Sequence, residues 1–203
     1  MSSTTSKLSE IVEVRSGYQV RKVSDDSAGT HYYLQVSDFN EDRTLINSEN
    51  MQMISPPRNA EDYELQEGDV VFLSKGQNNF SFAIRSLPKP AIAASYFFVL
   101  KPKVEIESEY LSWFLNSDFS KNEILKVRSS GTHMPTITVS QFLNISIPVP
   151  DLKTQQLIAE ISKLSMKQQR LLKELSKKKE DLVKSTCMSA VGNGGARVFV
   201  VSP

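Results

Sequence analysis

The sequence predicts an α+β fold, in which a globular domain with a mainly antiparallel sheet is followed by one long helix. Up to residue 150, short runs rich in aromatic and β-branched residues alternate with Gly, Pro, Asn and Asp, which is typical of strands joined by turns. Beyond that point, apolar residues recur every three or four positions, which is the period of a helix. We expect a globular domain at 1–150 and a helix at 151–188. The tail at 189–203 could be a strand, a partner peptide or flexible.

Three apolar runs in the first segment are predicted strands, at 31–36, 69–73 and 95–100. One helix is expected to interrupt the strands, with Ser108 as its N-cap. Trp113 falls on the apolar face of this helix, so we expect it in the core. The rest of the face comprises Tyr110, Leu111, Phe114 and Leu115, continued by Phe119, Ile124 and Leu125.

The second segment follows a stiff joint at 148–150, since its two prolines cannot continue a strand ladder. Asp151 or Thr154 can cap the helix that follows. Its narrow heptad seam favours a coiled coil between chains, although packing on its own domain is the alternative. Gln168 and Lys178 interrupt the seam and could fix its register. The expected dimer interface comprises Leu157, Ile161, Leu164, Gln168, Leu171, Leu175, Lys178 and Leu182.

Composition excludes several kinds of site. Cys187 is the single cysteine, so neither an intrachain disulfide nor a cysteine zinc cluster can form. His31 and His133 lie far apart, and no metal or cofactor is expected. The net charge of +1 does not discriminate between partners, because local patches decide electrostatic attraction. A polar beginning and the lack of a membrane-length apolar stretch lead us to expect a soluble, cytoplasmic protein.

No catalytic arrangement is recognisable in the sequence. No general base is fixed beside Cys187, which lies in the last turns of the predicted helix. The glycines at 192–195 follow a helix instead of a strand and lack the spacing of a phosphate-binding loop. We therefore expect a binding module that is not an enzyme.

Three polar segments have the chemistry of nucleic-acid contacts, although each is also typical of a solvated turn. Amide side chains can contact adenine, and lysine can reach guanine or phosphate. Hydroxyl and backbone N–H groups bind phosphate. The candidate DNA-binding residues are Arg15, Tyr18, Arg21 and Lys22 in the first segment, Lys75, Gln77, Asn78 and Asn79 in the second, and Arg128, Ser129, Ser130, Gly131, Thr132 and His133 in the third.

The order and spacing of several motifs match one known family. A glycine-containing loop at 131–137 leads to a run at 142–150 that ends in a Pro-x-Pro joint, and Gln155-Gln156 precedes the long helix. This succession resembles the end of a target-recognition domain in the specificity subunits of type I restriction–modification systems. Those subunits have Glu-Gln or a similar pair where this chain has Gln155-Gln156. Upstream, the domain opening, the strand before a variable glycine turn and the helix after it resemble residues 7–17, 67–72 and 110–115.

The resemblance, which covers about residues 7–186, implies a function and partners. A full specificity subunit has two recognition domains and two antiparallel helices. It binds two methyltransferase subunits that modify adenine, and a restriction subunit completes the nuclease. This chain has one domain and one helix, so we expect a half-subunit that forms a homodimer and reads a two-part palindrome.

The expected partners are double-stranded DNA, a DNA adenine methyltransferase subunit, the restriction subunit and a second copy of the chain. Two other functions remain open for the same sequence. One is a coiled-coil adaptor or anti-restriction protein of this fold that does not read DNA. The other is an independent DNA-binding regulator, which would bind an operator without a methyltransferase.

Overall fold

The computed structural model describes residues 4–20, 29–56, 60–88, 90–129 and 134–195. The chain divides into two compact units, one up to Glu160 and one from Ile161. The strands are β1 (Thr4–Lys7), β2 (Val12–Ser16), β3 (His31–Leu34), β4 (Gln52–Ile54), β5 (Val70–Leu73), β6 (Ser81–Ala83), β7 (Ala91–Ala93), β8 (Phe97–Pro102) and β9 (Ser146–Val149). The helices are α1 (Leu8–Ile11), α2 (Ser108–Asn116), α3 (Asp118–Val127), α4 (Val139–Leu143) and α5 (Leu152–Gly195). Short 3-10 turns lie at Val36–Asp38, Ser48–Asn50 and Ala60–Tyr63.

The described strands form three sheets. The largest has the order β2-β8-β5-β6 with antiparallel neighbours, and β1 pairs antiparallel with β9. In the third sheet, β3 lies between β4 and β7, antiparallel to the first and parallel to the second. The predicted α+β class, with a mainly antiparallel sheet and a long C-terminal helix, is therefore confirmed.

β5 is buried on both faces and separates two apolar clusters. Successive strand residues point to opposite faces of a sheet. Val70 and Phe72 pack on the side of α2 and α4, and the Phe72 ring lies 4.5 Å from that of Phe142. Val71 and Leu73 face the other way, among residues of the β4-β3-β7 sheet. The strand is thus fixed from both sides, and so is the point at which its last residue enters the following loop.

The single helix predicted from residue 108 onwards is two helices. Ser117 separates α2 from α3, and its hydroxyl oxygen accepts a hydrogen bond from the Ser120 amide at 3.2 Å. The N-cap of α2 is Glu107, whose carboxylate accepts from the Tyr110 amide at 2.5 Å. Ser108 instead donates its hydroxyl to the carbonyl of Gly68 at 2.6 Å.

Trp113 is not in the core, contrary to the prediction. Its side chain is 38% exposed on α2. The neighbouring apolar residues Tyr110, Leu111, Phe114 and Leu115 are buried, as their spacing predicted. Trp113 lies at the edge of this face, with its ring 5.7 Å from that of Tyr110.

Asp151 caps α5, as one of the two predicted candidates. Its carboxylate accepts from the backbone amide of Thr154 at 3.0 Å and from the Thr154 hydroxyl at 2.8 Å. The hydroxyl and amide of Thr154 stabilise the charged form and lower the pKa of Asp151. A carboxylate at this position also satisfies orphan N–H groups of the first helical turn.

α5 continues to Gly195, past residue 188, where the predicted helix ends. The rest of the predicted tail, at 196–203, lies outside the described residues. Among the helices in the described part of the chain, none has the length and apolarity needed to cross a membrane.

Candidate nucleic-acid interface

Two of the three predicted polar segments meet beyond the end of β5. The amide of Gly76 donates to the carbonyl of Pro135 at 2.8 Å, and the amide of Ile137 donates to the carbonyl of Ser74 at 3.0 Å. Lys75 and Thr136 form an antiparallel bridge between these two hydrogen bonds. The turn after β5 and the loop after α3 are therefore joined by backbone bonds, and each fixes the position of the other.

Arg128 adds a side-chain connection between the two loops. Its guanidinium donates to the carbonyl of Gln77 at 3.1 Å. Beside it, the amide of Ser129 donates to the carbonyl of Thr136 at 3.0 Å, and the Ser129 hydroxyl oxygen accepts from the Thr136 amide at 2.9 Å. These bonds close the base of the second loop. The predicted residues Ser130, Gly131, Thr132 and His133 lie outside the described residues.

The side chains at the tip of the first turn are exposed and differ in charge and hydrogen-bonding groups. Lys75 offers a cation, and Gln77 and Asn78 offer amides with both donors and acceptors. Gly76 has a φ of +99°, a conformation that L side chains rarely adopt, so a glycine suits the bend. We call the residues of these joined loops the paired-loop surface: Lys75, Gly76, Gln77, Asn78, Asn79, Arg128 and Ser129.

A cleft of about 330 Å³ lies between the first turn and α3. It is lined by Gln77, Asn78, Asn79, Lys121, Ile124 and Leu125. Lys121 is a further cation beside the paired-loop surface, and sequence analysis did not identify it. Its exposed ammonium lies 3.7 Å from Asp118. No sequence signal identified it, because Lys121 is one of several polar residues on α3 and nothing in the pattern indicates that this helix borders the turn.

Asn79 has a structural role in the turn. Its side-chain amide donates to the carbonyl of Leu73 at 2.7 Å, across the base of the turn that follows β5. The side chain is partly buried, unlike those of Gln77 and Asn78. The three amides predicted together therefore divide into two that face solvent and one that holds the turn.

The first predicted segment is not brought to the paired-loop surface by any contact among the described residues. The guanidinium of Arg15 donates to the carbonyls of Tyr63 and Glu64 at 2.8 and 2.6 Å. It also lies 3.8 Å from a carboxylate oxygen of Asp69. Burial lowers the pKa of Arg15, and the charge of Asp69 opposes that shift. These contacts give Arg15 a structural role in joining β2 to the segment before β5.

Tyr18 is also engaged within the fold. Its ring makes an edge contact with that of Tyr63, with 5.2 Å between centroids. Its carbonyl accepts from the hydroxyl of Tyr33 at 3.1 Å. The remaining predicted residues of this segment, Arg21 and Lys22, lie outside the described residues.

The predicted dimer seam is exposed along α5. The exposed fractions of its apolar members range from 50% at Leu171 to 66% at Leu182. Gln168 and Lys178 are exposed as well. Six exposed apolar residues along one helix face are unusual in a protein without a partner for them, because burying each side chain would contribute about 1.5–3 kcal/mol.

Nothing in the described residues has the arrangement of a metal centre, since no three His, Cys, Asp or Glu side chains are grouped to hold an ion. Cys187, the one thiol of the chain, is exposed on α5. Of the predicted segments, those that form the paired-loop surface, with Lys121 at its border, bring exposed cations and amides together.

The fold matches solved structures of type I restriction–modification components. A chain from a study of complex assembly and conformational transition of the type I R-M system aligns with a TM-score of 0.65 at 19% identity, covering 90% of this chain and 43% of that one. The HsdS subunit from Thermoanaerobacter tengcongensis aligns with a TM-score of 0.59 at 18% identity, covering 82% and 37%. The S subunit from M. genitalium aligns with a TM-score of 0.55 at 15% identity, covering 83% and 39%.

Sequence comparison points the same way. Over 96 residues the chain is 30% identical to the type I restriction enzyme StySPI specificity subunit of Salmonella potsdam, covering 46% of this chain and 20% of that protein. The chain thus spans a fifth of this relative and less than half of each solved structure. The family model of the type I restriction modification DNA specificity domain matches residues 2–181. The resemblance seen in the sequence is confirmed: this chain belongs to the family of type I restriction–modification DNA specificity domains.

Proposed function

We propose that this chain recognises a specific DNA sequence and directs partner subunits to it for adenine methylation and restriction. The paired-loop surface is the observation that carries the proposal. It combines exposed cations and amides on two loops that are hydrogen-bonded to each other. Preformed loops lose less conformational entropy on binding than flexible ones, which favours selective contacts.

The residues of this surface fit two kinds of DNA contact. Gln77 and Asn78 can pair with the donor and acceptor of an adenine edge in the major groove. Lys75, Lys121 and the exposed part of Arg128 can contact phosphates, which supply affinity and orientation without sequence information. Arg15, Tyr18 and Asn79 are not part of the proposed contact set, because their side chains or carbonyls are bonded within the fold.

We further propose that two copies pair through antiparallel α5 helices. The exposed seam supports this arrangement, since a second copy would cover the same row of leucines on both chains. The pair would then present two recognition domains, each formed by residues 1–150, at opposite ends of a spacer formed by the helices at 151–188. Its target would be a palindrome in two halves. The chain itself has no proposed catalytic role, and the methyltransferase and nuclease activities belong to partners.

The test is co-expression with a type I methyltransferase subunit in cells that lack other adenine methylation, followed by genome-wide mapping of methylated adenines. We expect a two-part palindromic motif that disappears without this chain. An asymmetric half-site would retain DNA recognition and contradict the symmetric pair. A stable complex with an active methyltransferase but no methylated motif would contradict DNA recognition and favour an adaptor of the same fold.

A further inference from the structure

The residues in the seam of α5 restrict the register in which two antiparallel copies of the helix could pair. The core residues of the seam occupy the a and d positions of successive heptads, which alternate in steps of three and four. Gln168 is at an a position, and Lys178, ten residues later, is at a d position. In an antiparallel pair, the two types of core position face each other, because the second helix runs in the reverse direction. Gln168 of one chain can therefore face Lys178 of another.

We propose, on the basis of the homodimer proposed above, a unique register for the pair: Leu171 of each copy lies opposite Leu175 of the other. The two-fold axis then passes beside residue 173. Leu164 of each copy lies opposite Leu182 of the second, and Gln168 lies opposite Lys178. This register matches apolar with apolar and polar with polar at these three layers, each of which occurs twice.

A register shifted by one heptad has the same number of apolar layers, because the proposed register places Leu157 opposite Ser189 and Ile161 opposite Ser185. The shifted register is less favourable for the polar core residues. It places Gln168 opposite Leu171 and Lys178 opposite Ile161, which buries an amide and an ammonium without a partner. In the proposed register the Gln168 side-chain oxygen can accept from the Lys178 ammonium. An unmatched buried polar group is costly, so paired polar layers select one alignment over its competitors.

Charged residues that flank the seam favour the same alignment. The proposed register brings Lys167 of each copy beside Asp181 of the other. It also brings the two copies of Glu174 together, but Arg170 lies 3.7 Å from Glu174 on the same helix and offsets that repulsion. The shifted register would gain contacts between Lys167 and Glu174, while setting Glu160 against Asp181 twice. Opposed like charges therefore occur once in the proposed register and twice in the shifted one.

Cross-linking between single-cysteine chains tests the register directly. Chains carrying Leu164→Cys, Leu171→Cys or Leu175→Cys are prepared with Cys187→Ser and different mass tags. They are then mixed in pairs and allowed to form disulfides directly, because a disulfide needs Cβ atoms within about 4.5 Å, which is less than the roughly 6 Å that four helical residues span. We expect the Leu175→Cys chain to cross-link to the Leu171→Cys chain. Cross-linking to Leu164→Cys would establish the shifted register, and cross-linking to itself would establish a parallel pair; either overturns the proposal.

A charge-reversal variant tests the same register without cysteine substitutions in the seam. Asp181→Lys places like charges beside Lys167 in the proposed register, so we expect the dimer dissociation constant to rise roughly fivefold. In the shifted register the same change would relieve repulsion from Glu160 and lower the constant. Glu180→Lys, on the outer face, is the matched control. A chain that is monomeric at micromolar concentration overturns the homodimer itself, whereas a dimer with the wrong cross-link overturns only the register.

Discussion

The side-chain oxygen of Gln155 accepts a hydrogen bond from the backbone amide of Glu107 at 2.9 Å. Its side-chain nitrogen donates to the carbonyls of Glu105 and Pro150 at 2.9 and 2.8 Å. The residue is fully buried. One amide thus joins the first turn of α5, the proline joint before it and the loop that leads into α2.

Replacing Gln155 with Ala should therefore destabilise the fold by about 1–3 kcal/mol, because three backbone groups lose their partner in a buried place. Urea unfolding of the purified chain measures the change in free energy. Gln156→Ala is the matched control, since Gln156 is the exposed neighbour on the same turn. Equal stability of the two variants would contradict the role assigned to the Gln155 amide.

Lys75→Ala should weaken DNA binding by the assembled complex at low salt. If Lys75 contacts one phosphate, the slope of log affinity against log salt should fall by about 0.9. The measurement is a salt titration of binding by fluorescence anisotropy. Lys101→Ala is the control, because Lys101 lies on β8 beyond the end of β5 that is opposite the paired-loop surface. An unchanged slope for Lys75→Ala would remove this residue from the proposed contacts.

Gln77→Ala and Asn79→Ala should have different effects, although both remove an amide from the same turn. Loss of the exposed Gln77 amide should relax base preference at one position of the methylated motif, by about 1–3 kcal/mol of discrimination. Loss of the Asn79 amide frees the Leu73 carbonyl and should lower the melting temperature instead. Methylome mapping and thermal unfolding of both variants separate the two roles. The same motif change in both would argue against the division.

Leu171→Asp together with Leu175→Asp should split the proposed homodimer, since two carboxylates would be buried in each copy without partners. We expect a dissociation constant at least about a hundredfold higher, which corresponds to ~2.8 kcal/mol. Light scattering over a concentration series gives the constant. Gln169→Asp with Ser176→Asp adds the same charge at exposed positions outside the seam and should leave the dimer intact. Equal effects of the two pairs would indicate general repulsion and not a seam.

Gly17→Ala should destabilise the chain by about 1–3 kcal/mol, a typical cost of forcing an extra methyl into a packed site. A Cβ at Gly17 would lie 2.2 Å from the carbonyl oxygen of Ala94, which is backbone and cannot rotate away. Thermal or urea unfolding provides the measurement. Ser16→Ala, at the exposed position just before it, is the control. A fully stable Gly17→Ala chain would show that the backbone can separate here at little cost.

Local spacing predicted much of the fold. The proline joint and the Asp151 cap could be identified because each depends on residues a few positions apart. The break at Ser117 could not, since apolar spacing continues across it and a capping serine inside an apolar pattern has no distinct signature. Trp113 shows the same limitation, because helical spacing defines a face but not where its buried part ends.

The candidate site was less predictable, because it depends on contacts between distant parts of the chain. Arg128 and Gln77 are 51 positions apart, and only the arrangement of β5 against the loop after α3 brings them together. Arg15 illustrates the converse. A cation in a polar run is typical of a surface, yet its carbonyl partners lie 48 and 49 positions further along.

The two-sided burial of β5 has a consequence for how such a protein diversifies. The residues that hold the strand, from Val70 to Leu73, are enclosed by both apolar clusters and cannot vary freely. Lys75, Gln77 and Asn78 follow within five positions and face solvent. Surface substitutions usually change stability by less than about 0.5 kcal/mol. Selection can therefore exchange the side chains of this turn, and under the proposed DNA recognition also the preferred target, while the scaffold beneath retains its free energy of folding.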